Sequence, residues 1–238
     1  MATTYSPGGD PICWTRMQAE AGEQLTRIMR RKELERRSGG GVYFWGVGSA
    51  PSRAIPALVR TAAAIDVLFS VMKSRPKAKD AAPEKIVAWR SYVDTGGSIR
   101  QIPGHVLVTS RAGARGYHYA LICRSDTPLG VADEGPFDPS AFRNVGAGGA
   151  VGASQVTALL ERHAKDGASD YRVAMRARLT DGFWVKLVDP IELDDADRDA
   201  LEAETENEDE WLALVARIRS KVRPSEVKGS LQPAMFSI

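Results

Sequence analysis

Residues 171–189 read YRVAMRARLTDGFWVKLVD, and this stretch decides the fold. Tyr171 to Leu179 and Phe183 to Asp189 alternate in polarity with the period of a half-buried strand. Thr180-Asp181-Gly182 between them suits a three-residue turn closed by a glycine bulge, so the pattern predicts a β-hairpin. In that register Leu179, Ala177 and Met175 oppose Phe183, Val185 and Leu187 on one face. Arg172, Arg176, Arg178, Trp184 and Lys186 then share the other. Like charges about 5 Å apart across paired strands destabilise a bare sheet. Something must neutralise them: a nucleic-acid backbone, with Trp184 stacking on a base, or the acidic segment that follows, folded back on the arginines.

That segment is the second informative feature. Residues 189–210 hold twelve carboxylates against Arg198, a net −11 in a chain of +2, which leaves about +13 on the rest. Such a split points to a polyanion partner or to an internal mimic of one. At 238 residues with 43% hydrophobic positions the chain can bury a proper core. No run of 18 apolar residues and no secretory pattern is present, so a non-membrane, cytoplasmic protein is expected. Cys13 and Cys123 lie far apart without CxxC spacing, and His105, His118 and His163 lack metal-ligand spacing. No disulfide framework, metal or cofactor is expected.

Along the chain, Trp14, Met17, Ala21, Leu25 and Ile28 recur at helical spacing, which predicts an amphipathic helix to Arg37, stopped by Ser38-Gly39-Gly40-Gly41. Val42 to Gly48 reads as a strand, Ile55 to Met72 as helical or mixed, and Glu84 to Val93 as a short helix or strand. Thr95 to Ser98 reads as a turn. His105–Arg111 and Tyr117–Arg124 read as two strands of a hairpin. Ser154 is placed to cap a helix running to His163. After Pro190 a charged helix is expected, with Trp211, Leu212, Leu214, Val215 and Ile218 as its apolar stripe.

Three constellations could carry chemistry. The hairpin arginines with Trp184 and Lys186 are the first. The Gly-rich loop from Asn144 to Gln155 is the second: at a helix N-terminus, Gly148, Gly149 and Ser154 could hold a phosphate, although neither a P-loop lysine nor a Rossmann acid is present. The third is aromatic and basic: Trp45, Trp89, Tyr92, Arg111, Arg115, Tyr117 and His118 suit a pocket that stacks one base and grips its backbone. In Tyr117-His118-Tyr119 the histidine faces away from the two tyrosines, and it is the candidate acid or base. Asp66, Asp126, Asp133, Glu134 and His105 sit in no spacing that demands catalysis.

The aromatic strand at Tyr43, Phe44 and Trp45, the central strands, and the late strand running into Val188-Asp189-Pro190-Ile191-Glu192-Leu193 resemble the PUA-like superfamily of small β-barrels, which includes EVE, ASCH and YTH domains. The resemblance covers about residues 42–193. It implies an α+β fold with a partly closed mixed β-barrel, recognition of RNA or of a modified DNA base, and a base-stacking cage nearest to Trp45 and Trp89. The expected organisation is an N-terminal helical extension (1–41), a barrel-like core (42–193) and an acidic helix with a tail (194–238). The leading expectation is a nucleic-acid-binding protein that takes a modified or flipped base into an aromatic pocket. Two alternatives stay open: an enzyme acting on a nucleotide or nucleic-acid base through His118, and an interaction module whose acidic helix imitates nucleic acid.

Overall fold

The computed structural model describes residues 12–17, 25–48, 64–72, 86–111, 118–129, 138–145, 149–151, 157–162, 171–203 and 207–221. The fold is α+β: strands β1 (Ile12–Arg16), β2 (Val42–Gly48), β3 (Ala64–Met72), β4 (Ile86–Val93), β5 (Ile99–Gln101), β6 (Thr109–Arg111), β7 (His118–Arg124), β8 (Phe142–Asn144), β9 (Gly149–Ala150), β10 (Thr157–Arg162) and β11 (Tyr171–Glu192), with helices α1 (Leu25–Ser38), α2 (Asp195–Glu202) and α3 (Glu208–Arg219). All eleven strands join one sheet, whose main path is β2-β7-β11-β3-β1-β10-β8-β9. The strand β4 branches from β11 and carries β5 and β6. Only β1 and β3 run parallel among the described pairs. Among the described residues the ends of the main path, β2 and β9, do not pair, so the sheet is open there. No described helix is long and apolar enough to cross a membrane.

The hairpin expected at 171–189 is instead one strand. Leu179 pairs with Cys123 and Trp184 with Leu121, so both halves of β11 run the same way along β7, and residues 180–183 form a bulge against β7 while Thr180 still pairs with Ala64 of β3. The turn chemistry of Thr180-Asp181-Gly182 is spent on that bulge, because a continuous partner strand offers more ladder bonds than a reversal would. A second bulge lies between Val173 and Met175. Since each inserted residue flips the faces that follow, Arg172 falls on one face with Trp184 and Lys186, and Arg176 and Arg178 fall on the other.

Three further expectations are corrected. Residues 12–16 form a strand inside the sheet, paired with β3 and β10, where helical spacing from Trp14 suggested a helix. The segment ending at Arg162 is strand β10, where a helix capped by Ser154 was expected. The strand β6 pairs with β4 and not with β7, so 105–124 is no hairpin. In each case tertiary pairing overrode a local signal.

Cys13 and Cys123 share a face three strands apart. Burial, and after it the neighbouring Cys13, pushes the Cys123 thiol well up. We call this face, which carries Cys13, Tyr43 and Cys123, the inner one.

Two apolar patches cover the sheet, the first of them on the outer face. Phe44, Ala120, Val185, Leu187 and Trp89 bury against Ile102, Val106 and Val108 of the loop after β5. Beyond Asp189, a non-glycine residue at φ 66°, the strands change phase: Leu187 joins that cluster, whereas Ile191 and Ala88 meet Leu34 of α1 and Trp211, Val215 and Ile218 of α3. Aspartate tolerates this left-handed conformation better than most residues, and Arg90 lies 3.9 Å from its carboxylate. The helix α3 is tied on by Trp211 Nε1 donating to the His105 carbonyl (2.9 Å) and by Arg219 donating to that of Pro103 (2.7 Å).

Candidate nucleic-acid interface

The inner face changes character along its length. Its first cross-strand row, Tyr43 and Cys123, is fully buried. The next row sets Trp45 opposite Leu121 and Leu121 opposite Trp184. Leu121 is still fully buried and Trp45 is half-buried. In the third row Tyr119 lies between Gly48 and Lys186, both its ring and the lysine are half-buried, and the glycine contributes no side chain. The face thus passes from a dry floor to a half-buried rim, its mouth, that carries the Trp45 indole, the Tyr119 phenol and the Lys186 ammonium, with Trp184 at the register position opposite Leu121. A flat base can stack on such rings while a lysine meets its phosphate. Two neighbours at the floor are unreactive, since burial pushes the Cys13 thiol up to about 12 and the Tyr43 phenol well above its ordinary value.

The sequence candidates divide between the faces. Trp45, Trp184 and Lys186 come together here; Arg172 has the same face further along β11. Tyr119, not among the singled-out residues, belongs to the mouth, and the alternation in Tyr117-His118-Tyr119 was the signal for it. Trp89 is only 7% exposed and packs on the outer face, so it does not form a cage with Trp45. Its ring lies 5.1 Å from that of His118 at 43°. His118 is 7% exposed, and its Nδ1 has no hydrogen-bond partner among the described residues. Burial holds its pKa below the ordinary value, so it is neutral at pH 7. Facing away from the mouth, it is a packed core group there.

On the outer face the position of Arg178 lies between exposed Arg124 on β7 and Asp66 on β3, with Arg176 two residues earlier. Arg111 ends β6 opposite Ile86. Gly149 is exposed on β9 opposite Asn144. Among the described residues the Gly-rich loop leads to strand β10 and to no helix N-terminus that would lend it converging N–H groups. Gly148, Ser154, Arg115, Tyr117, Asp133 and Glu134 lie outside the described residues. Asp126 is exposed in the bend after β7. No three of His, Cys, Asp and Glu converge as metal donors among the described residues.

After Asp194 the described part of the acidic segment is helical. It forms α2 and α3, packed against α1 and β4. Asp194 caps α2 in a capping box with Asp197 and accepts from Lys221, as does Asp197. Glu208 meets Arg37 (3.5 Å) and the hydroxyl of Ser38 (2.8 Å). Its carboxylates thus begin and lock helices and serve the fold before any partner.

No protein-family model, curated protein or solved structure matches this chain.

Proposed function

We propose that the protein binds nucleic acid and takes a base, modified or flipped, into the inner-face mouth, stacked against Trp45, Tyr119 and Trp184 with its phosphate on Lys186. The supporting observation is the register that gathers these four residues in two adjacent rows, at the place where burial on that face gives way to solvent. In this reading the mostly antiparallel sheet belongs to a partly closed barrel of the PUA-like kind. The arginines of the outer face add long-range attraction for a polyanion. The two buried free thiols suit the reducing cytoplasm, where we place the protein.

The test is binding of a fluorescent single-stranded oligonucleotide across a salt series. The wild type is expected to lose affinity linearly in log salt. Tyr119→Ala, which removes one stacking ring, is expected to weaken binding roughly tenfold at every salt concentration. Lys186→Ala is expected to lower the salt slope by about one contact. Salt-independent binding, or a Tyr119→Ala protein with wild-type affinity, rejects the reading.

A further inference from the structure

We propose that Ile99 is an apolar wedge that fills the gap left in a duplex when one nucleotide is turned out into the inner-face mouth, so that the substrate class is double-stranded nucleic acid. This rests on the base-binding reading of that mouth.

The third row of the inner face does not stop at Lys186. Lys186 pairs with Val93, and Val93 with Ile99. Ile99 therefore stands on the same face as Tyr119, three strands away and about 14 Å off at ordinary strand spacing. It is 70% exposed on a strand exposed at all three positions. Leaving an isoleucine in water forgoes the stabilisation its burial would bring.

The turn that presents it is rigid. The Asp94 carboxylate accepts from the backbone N–H of Gly96 (3.0 Å) and Ser98 (2.9 Å) and from Arg100 Nε (2.9 Å). The Asp94 N–H donates to the Ser98 carbonyl (2.9 Å), and Gly97 takes the left-handed φ of 82° the turn requires. The hydrogen bond from Arg100, the largest influence on Asp94, holds its carboxyl below the usual range, so the lock persists at neutral pH. The tip itself, Thr95-Gly96-Gly97-Ser98, is small and uncharged, and Asp94 behind it is compensated by Arg100. Such a tip approaches a polyanion without repulsion. An aliphatic side chain inserted between base steps offsets part of the cost of unstacking. The distance to the mouth suits a nucleotide swung out of the helix while its neighbours close on the wedge.

The experiment compares the full-length wild type with Ile99→Ala on two probes: a short duplex with one central 2-aminopurine, and the same labelled strand alone. The wild type is expected to raise 2-aminopurine emission in the duplex as the base leaves the stack. Ile99→Ala is expected to lose that rise and to bind the duplex roughly tenfold more weakly, with single-strand affinity and circular dichroism unchanged. Ile99→Leu, which keeps an apolar side chain, is expected to restore both duplex signals. A wild type that binds the single strand but leaves duplex emission flat overturns the wedge and spares the mouth. So does an Ile99→Ala protein that behaves as wild type on the duplex, or one that only converts a dimer into a monomer. A wild type that binds neither probe overturns both.

Discussion

Replacing Glu35 with Ala is expected to destabilise the protein by about 3–5 kcal/mol, a large share of the roughly 5–15 kcal/mol that holds a domain together. Glu35 is fully buried on α1 and Lys32 is 3% exposed; Lys32 Nζ donates to both carboxylate oxygens at 2.9 Å. Glu35 also accepts from the Leu107 N–H (3.1 Å), and Lys32 and Arg31 both donate to the Leu107 carbonyl (3.4 and 3.0 Å). This cluster fastens the loop that covers the aromatic cluster of the outer face. Removing one charge leaves the other buried and uncompensated, which is what makes either single change costly. In Lys32→Met/Glu35→Leu no stranded charge remains. The Leu107 carbonyl still has Arg31, and only the Leu107 N–H is orphaned, at about 1–3 kcal/mol. Urea unfolding should therefore rank the double variant above both single ones. If the double variant is as unstable as the sum of the two, the pair is not a coupled buried ion pair.

The second large effect is expected at His118, where substitution by phenylalanine should stabilise. The imidazole is held against Trp89 with an unpaired Nδ1, and such an orphan costs about 1–3 kcal/mol. The His118→Phe variant would keep a ring on Trp89 and remove the orphan. The same burial fixes a pH dependence. The folded pKa is depressed below the ordinary 6.5, so as pH falls the unfolded chain takes up its proton first. Stability is whole above about pH 6.5 and is lost progressively as pH falls toward the folded value. His105, also depressed by burial first of all, adds to the same slope. Unfolding curves at pH 7.5 and pH 5.5 should show the wild type losing stability and His118→Phe losing less. An equal loss in both would mean that His118 is solvated or paired.

The sequence was most readable where one period dominates. The aromatic strand at Val42–Gly48, the turn at Thr95–Ser98 and the apolar stripe of α3 are present as read from residue spacing, and of the helix read from Trp14 to Arg37 the arginine-rich part from Leu25 is. It was least readable in strands buried on both faces, where alternation carries no sign of which side is inside. In β2 neighbouring Tyr43 and Phe44 are 0% and 2% exposed, so Trp45 and Trp89 could not be assigned to opposite faces from spacing. The reading of 171–189 failed for a related reason. A Thr-Asp-Gly triplet serves a turn or a wide bulge equally well, and what selects the bulge is β7, a strand from much earlier in the chain. The like-charge argument pointed at the right strand, but one bulge parts the register of Arg172 from that of Arg176 and Arg178, and the second parts those two from Trp184 and Lys186.

The most direct measurement of the central claim is photo-crosslinking of the full-length protein to an oligonucleotide carrying one photoreactive base, with the adducts mapped by mass spectrometry. The account expects adducts in peptides carrying Trp45, Tyr119 or Trp184. Adducts confined to the outer-face peptide around Arg176 and Arg178, or to the helices, would contradict it.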